Sequence, residues 1–299
     1  MHTTSPPLQF HAVEGHRIAY LAHHPERGGT PLVFLHGLSV SVRFWEHAMY
    51  AEVRDHYAWY SISLPLHAPS TFPRDFREQD IDEHLFFRLL DSTIRHLVGD
   101  TPVLLVGHSL GGFAALNFAA KNPAQTLGVV TIGGFATGRA RGLEGLLEQM
   151  TEQSFISQRF FHLGWRFLQS SRAALRFVVR FYAADKKALA AYPELEPTLA
   201  AIYPDVKRHS RRAMRHLFRW LLSLDVTDEA HTITAPVLVM AGDEDPIVPY
   251  AHQVRFADAL PEGILMTFEG AGHLPFAERP AQFKEGLLYF IRAFATAST

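Results

Sequence analysis

The arrangement richest in chemistry among these 299 residues is Gly107-His108-Ser109-Leu110-Gly111-Gly112. It lies between the apolar run Val103–Val106 and the helical stretch Gly112–Lys121. A serine hydroxyl is a weak nucleophile until it is exposed beside a base. A sharp strand-to-helix turn lifts its oxygen clear of a sheet and leaves its backbone strained. Such a turn has no room for side chains two residues to either side, which accounts for Gly107 and Gly111. The helix that follows points its amide end at the site and favours developing negative charge. Gly-x-Ser-x-Gly alone recurs by chance. Flanked by this strand and this helix, Ser109 becomes the candidate nucleophile.

The elements that must hold such a serine can be read from the hydrophobic pattern. Short, branched apolar runs recur at Leu32–Leu35, Trp59–Leu64, Val103–Val106, Leu127–Ile132, Val237–Met240 and Ile264–Phe268. They are too short for buried helices, and Gly, Pro or polar residues bound them. Near-continuous apolar character over so few residues suits strands buried on both faces of a parallel sheet. Helical stretches such as Asp80–Val98 and Gly112–Lys121 lie between them. This alternation predicts an α/β fold: a mostly parallel central sheet flanked by helices. Phe10–Leu21, with Glu14-Gly15 at its middle, reads as a hairpin leading into that sheet.

The alternation stops between about residues 135 and 231. Phe161, Trp165, Leu168, Leu175, Val179 and Tyr182 recur three or four apart, while Arg159, Arg166, Gln169, Arg176 and Arg180 take other faces. The chain therefore divides into a first core part (1–134), an inserted helical cap or lid (135–231) and a second core part (232–299). The insertion holds 15 Lys plus Arg against 10 Asp plus Glu, a balance of +5, and the remainder 13 against 20, or −7. Two readings stand. The arginines solubilise the outer face of the cap, or basic Phe-rich helices meet an anionic or lipid-like substrate or a membrane surface.

Composition excludes several classes. The net charge of −2 gives no reason to expect nucleic acid as a partner. With no cysteine, neither disulfides nor thiolate chemistry contribute. No His-Glu-x-x-His or comparable ligand spacing suggests a metal, and His23-His24 reads as a solvent-exposed polar pair. The N-terminus carries scattered His, Glu and Arg and no long apolar run, so a soluble, cytoplasmic protein is expected.

The segment Gly107–Gly112 resembles the nucleophile elbow of the α/β-hydrolases, especially cap-bearing esterases and lipases. That resemblance implies an acid and then a histidine later in the chain. Val237–Gly242 followed by Asp243-Glu244-Asp245-Pro246-Ile247-Val248-Pro249 looks like the family's strand and acid loop, and Gly270-Ala271-Gly272-His273-Leu274-Pro275-Phe276 like its histidine loop. The implied triad is Ser109, His273 and Asp245, although spacing alone does not exclude Asp243 or Glu244 and Asp243 reads as a turn-capping carboxylate. Leu32–Leu35 followed by His36-Gly37-Leu38 resembles the oxyanion loop, which implies the backbone amides of Leu38 and Leu110 as donors. His36 and His108 read as structural. Phe44, Trp45 and Phe276 are candidate walls of an acyl pocket, with packing roles as the alternative. The resemblance implies no cofactor and a small, hydrophobic ester or acyl substrate as partner.

One loop departs from the family pattern. Relatives usually have Asp and then Gly-His-Gly after the strand that corresponds to Trp59–Leu64; here the residues are Ser63, Leu66, His67 and Ala68. The missing glycines predict a turn built differently. Ser109 argues against the dehalogenases and epoxide hydrolases of this fold, which use aspartate. Ester hydrolysis through an acyl-enzyme is the first reading. C–C bond, thioester or lactone hydrolysis on the same triad, or a ligand-binding homologue of low turnover, are the alternatives.

Overall fold

The computed structural model describes residues 6–138 and 155–296. Every apolar run named above becomes a strand: β1 Gln9–Val13, β2 His16–His23, β3 Leu32–Leu35, β4 Trp59–Ile62, β5 Val103–His108, β6 Thr126–Ile132, β7 Val237–Gly242 and β8 Gly263–Phe268. They form one sheet in the order β1-β2-β4-β3-β5-β6-β7-β8. The β1–β2 and β2–β4 pairs are antiparallel and the remaining pairs parallel. Glu14 and Gly15, at φ 48° and 77°, make the tight turn of the β1–β2 hairpin.

Strand alternation divides the core into two layers. Val33, Leu35, Val103, Leu105 and Val239 face one way, against the helices Glu83–Val98, Leu110–Lys121 and Tyr250–Ala259. Leu32, Phe34, Leu104, Val106 and Met240 face the other, against Phe44–Ala48 and Pro280–Phe294. A sheet covered on both faces needs strands apolar at every position, as these are. The two edge strands are the exceptions: β1 has no fully buried residue, and Ile264 of β8 is exposed.

From β3 the chain goes to β4 on one side and then to β5 on the other. In such sheets the crevice at the carboxyl ends beside this switch is where ligands bind. Leu35 pairs with Gly107 there, placing the ends of β3 and β5 side by side.

Between β6 and β7 the described residues are helical: Phe155–Ser170, Arg172–Val179, Lys186–Ala191, Leu195–Val206 and Arg211–Trp220. The expected insertion also includes residues 139–154, which lie outside the described residues. The chain leaves and returns at one place. Gly138 N–H donates to the Leu224 carbonyl at 2.9 Å, and Val226 N–H to that of Ala136 at 2.8 Å. No helix of the described residues is long and apolar enough to cross a membrane.

Candidate active site

β5 ends at His108 and the next helix starts at Leu110, leaving Ser109 between them at φ 53° and ψ −118°. A residue with a Cβ adopts this conformation only when its surroundings enforce it. A methyl at Gly107 would stand 2.1 Å from the Gly111 carbonyl oxygen, and one at Gly111 only 2.3 Å from that of Leu35. The two glycines are thus a packing necessity, with strand, turn and helix pressed together around the serine. Leu110 opens the helix, so its N–H has no acceptor within the helix.

Asp245 follows β7 and His273 follows β8. The His273 Nδ1–H donates to Asp245 Oδ2 at 2.9 Å, and both residues are buried. Asp245 Oδ1 accepts from the amides of Ile247 (2.8 Å) and Val248 (3.0 Å), and Gln253 Nε2 donates to Oδ2 at 3.3 Å. The carboxylate is held on every side. Of the three candidate carboxylates, Asp245 is the one that meets the imidazole. Asp243 accepts from Gly270 N–H at 2.7 Å and ties two loops together, while Glu244 is exposed.

The histidine loop is fixed by groups that sequence reasoning missed. His273 N–H donates to the Tyr182 carbonyl at 2.8 Å. The buried Glu278 carboxylate accepts from the amides of Gly272, Leu274 and Asp185 at 2.8–3.3 Å. Burial raises the Glu278 pKa, and these backbone donors oppose the rise. Gln253 and Glu278 leave only a weak trace in sequence, since each lies within eight residues of the side chain or loop it serves.

Ser109 and His273 face one cavity of about 910 Å³, its open mouth included. Leu38, Phe44 and Phe276 also line it. Its far wall is apolar and comes from the helices between β6 and β7, including Leu168, Leu175, Val179, Leu199, Ile202 and Phe218. Trp45, a candidate wall in sequence, does not reach the cavity and takes the packing role that was its other reading. It is 1% exposed and packs on Phe34, their ring centroids 5.3 Å apart. Successive helical residues point about 100° apart, so Phe44 takes the cavity side and Trp45 the core side.

Behind the Leu38–Val40 wall stand three buried histidines. Leu64 N–H donates to His36 Nε2 at 3.1 Å, so His36 Nδ1–H donates to the Gly37 carbonyl at 2.8 Å. Ser39 N–H donates to His67 Nε2 at 3.1 Å, and His67 Nδ1–H donates to Pro65 O at 3.0 Å. Ala68 N–H donates to His209 Nδ1 at 3.0 Å, and His209 Nε2–H donates to Val40 O at 2.8 Å. Each ring accepts once and donates once, which only a neutral imidazole can do. Burial pushes His67 down to about 4 and His209 to about 3, and holds His36 well below its ordinary value. His36 is structural, as its position in the sequence suggests. His209 has no sequence signal, because the loops it joins are 141 and 169 residues away.

His108 is structural as well. Burial, and then His273 beside it, push it down to about 3, and its Nε2–H donates to the His273 carbonyl at 3.1 Å. The altered turn keeps the positive backbone angle that glycine would have supplied: Leu66 itself takes φ 64°, with its side chain buried. His23 is not solvent-exposed as expected. Its ring stacks on Trp59 at 3.6 Å, and burial lowers it to about 4. Among the described residues no group of three or more His, Asp or Glu is arranged to hold a metal.

A pimeloyl-[acyl-carrier protein] methyl ester esterase of Vibrio vulnificus is 24% identical over 274 residues, covering 88% of this chain and 94% of that protein. A thermophilic esterase from Thermogutta terrifontis superposes with a TM-score of 0.71 at 19% identity, covering 98% of this chain and 100% of its own. The enol-lactonase from Burkholderia xenovorans does so with a TM-score of 0.71 at 17% identity, covering 95% and 99%. At such identities the structural likeness establishes the fold. The Alpha/beta hydrolase family matches residues 32–285, the span that carries the elbow, the acid loop and the histidine loop, and the chain belongs to that family.

Proposed function

We propose that the protein hydrolyses carboxylic esters through an acyl-enzyme on Ser109, with His273 as the base and Asp245 orienting it. The observation that carries this reading is the buried 2.9 Å His273–Asp245 pair, opening onto the same cavity as a strained serine. Because Nδ1–H is committed to the carboxylate, Nε2 is the nitrogen left to take a proton. It accepts the Ser109 hydroxyl proton as Oγ attacks the ester carbonyl carbon. The carbonyl oxygen becomes an oxyanion, and the amides of Leu38 and Leu110 donate to it. Each such donor contributes about 3–4 kcal/mol to the transition state.

Collapse of the tetrahedral intermediate breaks the C–O bond, and His273 gives its proton to the departing alcohol. A water then attacks the acyl-enzyme, again losing a proton to His273, and the acid leaves with Ser109 restored. Asp245 stabilises the imidazolium that forms twice in this cycle. The helices within residues 135–231 act as a cap whose apolar inner wall takes the acyl or aromatic part of the substrate. The methyl ester esterase relative and the esterase neighbours lend the reading support.

Short and medium chain p-nitrophenyl esters test it. Ser109→Ala is expected to remove turnover, by about 10⁴-fold or more, with melting unchanged. A fluorophosphonate should label the wild-type serine and leave the variant untouched, which separates an enzyme from a passive binder. Full activity in Ser109→Ala would end the proposal. Lactone and thioester substrates in the same panel decide which acyl bond is preferred.

A further inference from the structure

Large exposed apolar side chains are distributed unevenly over this molecule. Of the nine among the described residues, five lie close together in the chain: Phe160, Leu163, Phe167, Phe177 and Phe181, each 47–62% exposed. Phe160, Leu163 and Phe167 recur at helical spacing and share one stripe of Phe155–Ser170. The opposite stripe, Phe161, Trp165 and Leu168, is already buried in the fold. The helix therefore has a second apolar face that the core does not use. Phe167 meets Phe177 at 6.1 Å between centroids, and Phe177 meets Phe181 at 5.3 Å, so the two helices share one aromatic ridge.

Positive charge borders the ridge on both sides. Arg159, Arg166, Lys207, Arg211 and Arg212 line a groove whose wall includes Leu163, and among the described residues no Asp or Glu lines it. Arg176, Arg180 and Lys186 line another groove that includes Phe177, with Arg176 paired to Glu196 at 3.0 Å. The field in the first groove is registered by His162, which burial and then Arg211, Arg215 and Arg212 hold below its ordinary value. Residues 155–231 carry 13 Lys plus Arg against 7 Asp plus Glu, so acids elsewhere in the segment do not offset it.

We propose that this ridge docks the protein on an anionic phospholipid surface. The Phe and Leu side chains enter the boundary between headgroups and acyl chains, and the flanking arginines bond the lipid phosphates. A second copy of the chain is a poor occupant, because it would bring two positive faces together. A zwitterionic bilayer such as phosphatidylcholine would take the ridge, but its choline groups offset the phosphates and leave the arginines facing no net negative charge. The same helices turn Leu168, Leu175 and Val179 inward to the cavity, so docking would hold the cap against a source of apolar substrate. The surface shares no residue with the proposed catalysis, and it stands or falls independently of the bond that is cleaved.

The test uses the full chain carrying Ser109→Ala, so that lipid is not consumed. It is sedimented with vesicles of phosphatidylglycerol and phosphatidylcholine in equal parts, and with phosphatidylcholine alone. Binding is expected with the anionic vesicles only, with release at about 1 M salt, where the screening length falls to ~3 Å. Phe167→Ser/Phe177→Ser/Phe181→Ser and, separately, Arg159→Gln/Arg166→Gln/Arg211→Gln/Arg212→Gln should each weaken it about tenfold or more. Unchanged melting of both variants keeps loss of fold out of the result. No sedimentation, equal sedimentation with neutral vesicles, or a dimer in light scattering that the Phe variant abolishes would each overturn the proposal.

Discussion

Two groups of buried histidine flank the serine, and they are held in opposite ways. On one side His273 donates to a carboxylate, Asp245, at 2.9 Å. On the other, His36, His67 and His209 meet only backbone amides and carbonyls, with ring centroids 5.0 and 5.3 Å apart along the row. Burial disfavours a charged ring in both places. The carboxylate supplies what a transient imidazolium needs, whereas backbone bonds that both donate and accept fix the ring as neutral. In the proposed reaction the same side chain moves protons on one side of the cavity, while on the other it holds a loop. The partner decides, not the burial.

The neutral row also ties the helical segment to the loop that carries the proposed oxyanion donor. His209 comes from the stretch between Leu195–Val206 and Arg211–Trp220 and bonds the Val40 carbonyl. Asp205 accepts from the Ser41 hydroxyl at 2.8 Å beside it. Gln169 Nε2 donates to the carbonyls of Val206, Lys207 and His209 at 3.0–3.2 Å and closes the end of that helix. A change in how these helices sit would therefore move residues 38–40.

The sharpest way to break the contrast is to remove the charge from one partner. Asp245→Asn keeps the shape but turns an amide toward His273 Nδ1 and favours the wrong tautomer. Ester turnover should fall about 10⁴-fold with substrate binding little changed. A loss under tenfold in kcat would mean that the carboxylate does not distinguish the two sides.

Acid should act on the other row and on the structural His108 beside His273. His67, His108 and His209 have folded-state pKa values of about 4, 3 and 3, below the ordinary ~6.5 of an unfolded histidine. Below about pH 6.5 the unfolded chain binds protons that the folded one refuses, so stability falls as pH drops toward those folded values and is level above. Each such ring contributes up to about 1.4 kcal/mol per pH unit across that window. Denaturant midpoints measured from pH 7 to pH 4.5 check this; a flat profile contradicts neutral, buried rings.

The smallest expected effect is that of His209→Ala. It leaves the Ala68 N–H and the Val40 carbonyl without their partner, at roughly 1–3 kcal/mol of stability. Turnover should fall about tenfold while KM holds, because the loop bearing an oxyanion donor loosens. His209→Gln, which can still donate to Val40, should recover part of the rate. Equal loss in both variants, or a change confined to KM, would reduce His209 to packing.

Much of this protein was legible without coordinates. The six branched apolar runs could only be strands of a covered sheet, because no short helix buries every face. The Gly107–Gly112 elbow stated its own geometry, since a Cβ at either flanking glycine would collide with backbone. Chain order and the loops after β7 and β8 brought Asp245 and His273 forward. Resemblance favoured Asp245 among three neighbouring carboxylates that spacing could not separate, and the fold brings that one to the imidazole; tertiary structure alone decided which of two adjacent aromatics faces the cavity. It also placed His209 beside residues 40 and 68, and gathered Phe160 to Phe181 into one ridge between basic grooves. Local sequence fixes backbone sterics and periodicity, which are set within a few residues. A hydrogen bond spanning 169 residues, or a surface shared by two helices, exists only once the chain has packed.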